Sequence, residues 1–499
     1  MNDKFSARLV ETLFDNSYFR IFNLVACLLY FIPSSLGIPD IVTKIAVVYG
    51  GLLAFNNFFI KRDFMKMKYW YLLCSVMIIF CITTLMNFEY NLIQNFYNFI
   101  YLVITFTVVF PIANTNSPKK IIKDFLLFNN VLVIFVFLAT LISLVQFILL
   151  SKYQVQTANP DILARQGFWE SRLFGVYTSP NIGSLFGFIS VAMSIINVSF
   201  KTPISKKLKT LYTLNFIVQL LYFFLSSSRG TQISISVFVL FYLFLKIIYV
   251  KTAKHVRPND NRLLRNSIII GIILLTLVNL GDVYIKNGLG HVPMIVKQET
   301  NFIKKIEEKN YEGSIDSKGI IDQKNKQVVI EHSGEGAEVS SGRFTIWKAA
   351  IKAFKEKPIL GYGDLSFYRN NQVPPFDEKK ITEFDKSELT RANGYMHNGY
   401  LQVLLSIGGI GFLLIFIFYI LNLKDIIFTY FTHVEKWYPD SLSADTIFLL
   451  LSLLVSIFAN ELVEAHILFN NRDVVSIVFW YSLGVISFFV PVQRGINRT

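Results

Sequence analysis

Met396-His397-Asn398-Gly399-Tyr400 opens a run, Leu401 to Leu421, that contains no charged residue. A run of that length crosses a hydrocarbon core of about 30 Å as an α-helix. Similar runs recur along nearly the whole chain. Hydrophobic residues make up 53% of the 499, and 48 Phe stand against 34 acidic residues, a balance that does not suit a soluble protein of this size. The fold class expected is therefore an all-α polytopic membrane protein. Its net charge of +14 needs no nucleic acid as partner, because Lys and Arg gather on cytoplasmic loops. Cys27, Cys74 and Cys81 all lie in apolar runs, with neither a disulfide framework nor metal-ligand spacing, and read as small packing residues.

About twelve spans are expected, over residues 18–36, 41–60, 69–85, 96–113, 125–150, 176–200, 211–225, 232–250, 267–285, 400–421, 446–459 and 474–491. They divide the chain into an N-terminal transmembrane bundle (1–285), a large extracytoplasmic loop (286–396) and a C-terminal transmembrane bundle (397–499). No internal repeat or cleavable signal peptide is evident. Alternate loops are basic: Lys61, Arg62, Lys66 and Lys68; Lys119, Lys120 and Lys123; Lys201, Lys206, Lys207 and Lys209; Lys251, Lys254, Arg257, Arg262 and Arg265. The intervening short loops near Pro39 and Glu89 hold no such cluster. This alternation places both termini in the cytoplasm and the 286–396 loop outside.

Basic residues are disfavoured on translocated short loops, so Arg172, before Pro180-Asn181, and Arg229, in Ser226-Ser227-Ser228-Arg229-Gly230, invite a reason. A guanidinium grips phosphate through two parallel hydrogen bonds; it also serves, more plainly, to snorkel to headgroups or satisfy helix-end carbonyls. Within the outer loop, 298–340 is polar and suits a solvated insert. From 342 to 357, Phe344, Trp347, Ile351 and Phe354 follow helical spacing, with Lys348, Lys352 and Lys355 on another face. Such a helix lies at the interface with its aromatic face down, and Pro358 stops it. His397 sits at a membrane boundary, poised for proton transfer near neutral pH, with Asn398 and the helix start able to orient it. Glu461 and Glu464 in the last outer loop read as helix-capping or solvating carboxylates rather than groups that assist an acceptor.

Together these blocks resemble the O-antigen polymerase/ligase superfamily of bacterial surface-polysaccharide assembly. The likeness is strongest over Arg343…Trp347…Phe354…Pro358…Gly361-x-Gly363 followed by His397-Asn398…Leu401…Gly408-Gly409-Ile410-Gly411, and extends to Arg172-x-x-Gly175…Pro180-Asn181 and Ser228-Arg229-Gly230. The resemblance implies a bacterial cytoplasmic-membrane glycosyltransferase working at the outer leaflet. Its donor and acceptor are undecaprenyl-pyrophosphate-linked glycans amid membrane lipid, with neither metal nor other cofactor, and with a chain-length regulator as a plausible partner. His397 then takes a proton from the acceptor hydroxyl, Arg343 and Arg229 stabilise the departing pyrophosphate, and Arg172, Asn181, Asn398, Arg391 and Tyr395 hold substrate. A repeat-unit polymerase making capsule, exopolysaccharide or O-antigen is the reading preferred. A ligase acting on another acceptor and a lipid-linked sugar flippase are the alternatives.

Overall fold

Every apolar run marked in the sequence carries a helix. The computed structural model describes residues 14–32, 38–112, 116–156, 163–252, 258–299, 321–322, 327–331, 342–366, 380–433, 443–470 and 472–489. The first membrane helices are α1 (Asn16–Tyr30), α2 (Ile38–Phe55), α3 (Trp70–Met86), α4 (Leu92–Ile104), α5 (Pro118–Ile148), α6 (Pro180–Ser199), α7 (Lys206–Ser226), α8 (Arg229–Thr252) and α9 (Pro258–Asn279). The segment after α9 supplies α10 (Asp282–Glu299), α11 (Arg343–Glu356) and α12 (Glu383–Arg391), followed by α13 (Gly399–His433), α14 (Ala444–Asn460) and α15 (Val474–Phe489). Among the described residues eight helices are long and apolar enough to cross a membrane: α2 and α4 with their π-helical extensions, α5 to α9, and α13. Helices α3, α14 and α15 are shorter and apolar. Their starts follow simple chemistry. Ser117, Ser179, Ser205 and Ser443 each accept a backbone N–H of the first turn, and Pro118 and Pro180 occupy positions whose N–H has no helical partner anyway.

Inside a membrane, apolar contact does not distinguish a neighbouring helix from lipid, so packing and interhelical hydrogen bonds hold the bundle. Helices α5, α6 and α7 share a ladder of neutral polar groups. Asn129 donates to Asn197 (2.7 Å), Asn197 to Tyr212 (3.0 Å), Gln219 to Asn215 (3.0 Å), Asn215 to Ser190 (3.0 Å) and Thr140 to Gln219 (3.0 Å). On α9, by contrast, Ile269, Ile270, Ile272 and Ile273 are all exposed, as suits a lipid-facing surface.

The chain is not wholly α. Between α5 and α6, β1 (Lys152–Gln156), β2 (Leu163–Trp169) and β3 (Arg172–Gly175) form an antiparallel sheet in chain order. The β2–β3 turn is Glu170-Ser171, both with positive φ (48° and 59°), and Trp169 pairs with Arg172 across it. Two-residue hairpin turns of this hand normally announce themselves with Asn or Gly. Glu-Ser hides the signal. A second, shorter pair, β4 (Ile321–Asp322) and β5 (Gln327–Val328), is followed by Glu331, whose N–H donates to Ser171 O at 3.1 Å and ties the outer insert to the first sheet. Most of the 298–340 insert lies outside the described residues. The span expected over 267–285 ends sooner, at Asn279, and α10 extends the helical structure to Glu299, where a loop was expected.

Helix α11 forms where the sequence places it but turns a different face inward. Its buried residues are Ile346, Ala349, Ala350 and Ala353, while Phe344 and Ile351 are exposed. Small alanines admit α12 and α13 closely, and Lys352, on the flank of that face, reaches both carboxylate oxygens of Asp385 on α12 (2.8 and 2.7 Å). The glycine blocks flanking α11 then lock it to the membrane. Helix α13 breaks at Gly408 (φ 65°, ψ −174°), and the 358–363 segment pairs with the opened backbone. Tyr362 N donates to Leu405 O (2.7 Å), Gly363 N to Ser406 O (2.9 Å) and Gly409 N to Pro358 O (2.7 Å). Broken backbone at membrane depth survives only where protein satisfies it in this way. A Cβ at Gly361 would lie 2.4 Å from Leu405 O, and one at Gly408 2.1 Å from Ile359 O, so both positions need glycine.

Candidate active site

Two outer turns meet at Gly399. Its N–H donates to both Glu461 O (2.7 Å) and Glu464 O (2.9 Å), and a Cβ there would sit 1.8 Å from Glu461 Oε2. Beside it Asn398 caps α13, accepting from Leu401 N at 3.0 Å while its amide donates to Leu462 O at 3.1 Å. The strand-like approach from α12 turns through Asn393 and Gly394, and His397 itself takes φ 49°. A left-handed backbone at a non-glycine residue costs energy and persists only where neighbours over-determine it. The result is an imidazole about one third exposed, carried at the mouth of the bundle.

That imidazole is held by a residue of the last outer loop. His397 Nδ1 lies 3.3 Å from Glu464 Oε2, which also accepts the Tyr395 hydroxyl at 3.2 Å. Glu464 Oε1 accepts Arg343 Nη2 at 2.9 Å and Asn181 Nδ2 at 3.2 Å. Arg343 Nη1 donates in addition to Val463 O. Burial alone would raise the Glu464 pKa. The His397 hydrogen bond and the charges of Arg343 and the two histidines overcome it and hold the carboxyl down to about 2. An ionised Glu464 can only accept, so His397 Nδ1 is the donor and Nε2 is the ring's open acceptor, a tautomer assigned from the hydrogen-bond geometry.

Arg172, from β3, joins the same network one step away. Its Nε donates to Ser226 O (2.7 Å) and its Nη2 to Asn181 Oδ1 (2.6 Å), so Asn181 bridges Arg172 to Glu464. Burial brings the Arg172 pKa down to about 10, with Arg343 among the nearby charges, and the group stays cationic at neutral pH. Each guanidinium has five N–H groups, and both keep donors outside these bonds. The structure thus brings together His397, Arg343, Arg172, Asn181, Asn398 and Tyr395. Arg229 is exposed in the first turn of α8, and its neighbours Ser228 and Gly230 border the same region. Arg391 goes elsewhere: on α12 it bonds Gly342 O (2.9 Å), Thr345 (3.1 Å) and Glu388, bracing the start of α11.

Residues 214–416 match the family described as O-antigen ligase. No curated protein matches the chain. The O-antigen ligase match covers about two fifths of the sequence and agrees with the superfamily resemblance drawn from its motifs. The apolar helices and this match indicate an integral membrane protein, similar over residues 214–416 to the O-antigen ligase family. Arg229, Arg343, Arg391, Tyr395, His397 and Asn398 fall inside the matched stretch; Arg172, Asn181 and Glu464 fall outside it.

Glu464 is the residue that sequence reasoning undervalued. In Asn460-Glu461-Leu462-Val463-Glu464 it looks like a helix-end carboxylate. Glu461 comes nearer to that reading, since its Oε1 accepts the backbone N–H of His466 and Ile467. Glu464 instead collects four side-chain donors from three other regions of the chain. The one available signal was charge: an acidic group in an outer loop, in a site otherwise built from arginines.

Proposed function

We propose that this protein polymerises lipid-pyrophosphate-linked oligosaccharide repeat units at the outer leaflet of a bacterial cytoplasmic membrane. The reading takes α1 to α9 and α13 to α15, twelve helices, as membrane segments with both termini in the cytoplasm, so that His397 and Glu464 face outward. One observation carries it: His397 and Arg343 share the carboxylate of Glu464, with Arg172 one residue away through Asn181.

The chemistry follows from that arrangement. A sugar hydroxyl attacks the anomeric carbon of the donor glycan, a C–O bond forms, and the bond to the lipid pyrophosphate breaks. His397 Nε2 accepts the hydroxyl proton, and Glu464 stabilises the imidazolium that results. General-base help of this kind is worth about 10²–10⁴-fold. Charge grows on the departing pyrophosphate, and the remaining N–H groups of Arg343 and Arg172 meet it, with Arg229 at the rim. Removing one such preorganised donor typically costs about 10²–10³-fold. Tyr395 stays a phenol: burial, then the Glu464 charge, raise its pKa well above the ordinary value, so its hydroxyl orients Glu464 rather than moving protons.

The same site serves a ligase if the attacking hydroxyl belongs to a different acceptor. Acceptor-resolved product analysis separates the two. Purified protein supplied with a defined undecaprenyl-pyrophosphate-linked oligosaccharide is expected to lengthen it and to release undecaprenyl pyrophosphate. Transfer only to a non-lipid-linked acceptor would replace polymerase by ligase. Movement of the lipid-linked sugar across the membrane with no bond made would replace both by a flippase.

A further inference from the structure

An exposed apolar seam leads away from the site. On α11 the alanine face is buried, and Phe344 and Ile351 stand exposed on the opposite side. Trp347 is tied down beside them. Its indole N–H donates to the carbonyl of Met396, the residue before His397, at 3.1 Å, and its ring stands edge-on to Phe344 at 5.3 Å. Farther along, Phe354 reaches α13: its Cζ is 3.9 Å from where a Cβ on Gly409 would sit. Ile359, past the helix end, is exposed, and its carbonyl accepts Ile410 N at 3.4 Å. From there Ile410, Leu413, Ile417 and Ile420, all exposed, continue along one face of α13 at helical spacing.

The near end of the seam is Arg343, the first residue of α11, whose guanidinium keeps N–H groups outside its bonds to Glu464 and Val463. Lys348 and Lys355 are exposed along the flank. An apolar face turned to lipid needs no special occupant, and α9 has one. The α9 face ends at Asn279, however, an amide already bonded to Gln232 and Ser236, whereas this seam ends at open cationic donors. Length argues the same way. At 1.5 Å per residue α11 contributes about 20 Å and 410–420 about 15 Å more, while one leaflet of hydrocarbon is about 15 Å deep. The seam outruns the acyl chain of an ordinary phospholipid.

We propose that this seam holds the isoprenoid tail of the lipid-pyrophosphate donor, a long polyprenyl chain, while Arg343 takes the anionic head. This rests on the reading of the site as a transferase for lipid-linked glycans. The tail runs from Phe344 along Ile351 and Ile359 and passes onto α13 at Ile410, which sets the pyrophosphate at Arg343 and the anomeric carbon toward His397. Hydrocarbon gains little by exchanging lipid for a protein surface. The seam therefore acts by placing the head, and tail length is what it reads.

The test compares two donors carrying the same glycan pyrophosphate, one with the full polyprenyl tail and one whose isoprenoid is too short to pass Ile351. In the full-length protein, Ile351→Asn with Ile359→Asn is expected to raise KM for the long-tailed donor by on the order of tenfold, because a chain lying over two amides leaves them buried without partners. KM for the short-tailed donor stays within about twofold and kcat within about threefold, the pattern of lost ground-state binding. The same change on the lipid-facing side of α9, Ile269→Asn with Ile273→Asn, moves neither donor. An equal rise for both donors, no rise for either, or the same rise from the α9 pair overturns the proposal. Should the double variant not fold, Leu413→Asn takes its place with the same expectation. Thermal melting in detergent with polyprenyl pyrophosphate alone reads the seam apart from the reaction. That lipid is expected to stabilise the wild type more than the double variant, and phospholipid to stabilise both alike; equal stabilisation of the wild type by the two lipids overturns the proposal. If the difference holds while no glycan is lengthened, the transferase reading fails and the seam stands. If glycan is lengthened while the seam variants behave as wild type, only the seam fails.

Discussion

Two buried polar networks run through this bundle, and they are built differently. Between α5, α6 and α7 the groups are neutral amides and hydroxyls, Asn129, Thr140, Asn197, Asn215 and Gln219, joined helix to helix. At the outer end the groups are charged, and one carboxylate, Glu464, is shared by an arginine, an asparagine, a tyrosine and a histidine. A neutral ladder gains little per bond, because the membrane-inserted but unassembled chain also finds partners for its amides. A charged cluster is high-stakes, since breaking one member leaves the others buried and uncompensated. On the proposed function, the ladder belongs to assembly and the cluster to chemistry.

The largest expected effect lies in the charged network. His397→Ala should lower glycan transfer by about 10²–10⁴-fold in a protein that still folds and melts cooperatively, measured as lipid pyrophosphate released per protein. A stable, active variant would erase the distinction between the networks. Gly399→Ala strikes the same cluster through packing, because its Cβ would fall 1.8 Å from Glu461 Oε2. It should cost about 1–3 kcal/mol of overpacking strain and displace His397, seen as lower thermal stability together with lower activity.

Acidity offers a subtler probe. Glu464 is held at about 2, below its ordinary 4.5, so its contribution to stability is complete above about pH 4.5 and is lost as pH falls from there towards 2. His466 is raised to about 9 from 6.5. Burial raises Glu461 to about 8 from 4.5, against the opposing pull of His466. Their contributions are lost in the other direction: from about pH 4.5 upward through 8 for Glu461, and from about 6.5 upward through 9 for His466. The melting temperature in detergent should therefore be highest near pH 4.5, falling as pH rises from there past 9 and falling again below it. A flat profile would mean that the outer loop's charges do not couple to folding.

The smallest expected effect is in the neutral ladder. Asn215→Ala should cost about 0.6 kcal/mol and leave transfer within about twofold, read from a thermal melt and the same release assay. A loss comparable to His397→Ala would show that the ladder has a chemical role.

How much of this was legible beforehand follows the same division. Long apolar runs report their own helices, so the bundle and the place of His397 at the start of α13 could be read directly. The helical spacing from Gly342 to Lys357 gave α11, but not its buried face. The side that goes in is built on alanines too small to weigh heavily in a hydrophobicity pattern, with Lys352 paired to Asp385 at its flank. The β2–β3 hairpin escaped because Glu170-Ser171 carries no turn signature. The glycines at 361 and 408 were visible as a pattern, yet their purpose, pairing a broken helix with the 358–363 segment, depends on two stretches about 45 residues apart in sequence. Glu464 was hardest, because an acidic residue after a helix has an ordinary explanation and its four donors come from β3–α6, α11 and the turn before α13.

The central claim is that Glu464 holds His397 as the base of a transfer reaction, and Glu464→Gln tests it most directly. The substitution keeps the shape and removes the charge that fixes the imidazole tautomer and stabilises its protonated form. At saturating donor and acceptor the release of lipid pyrophosphate should fall by about 10²–10⁴-fold, the range that general-base help is worth, in a protein that still binds substrate and melts cooperatively. Release at the wild-type rate would contradict the account.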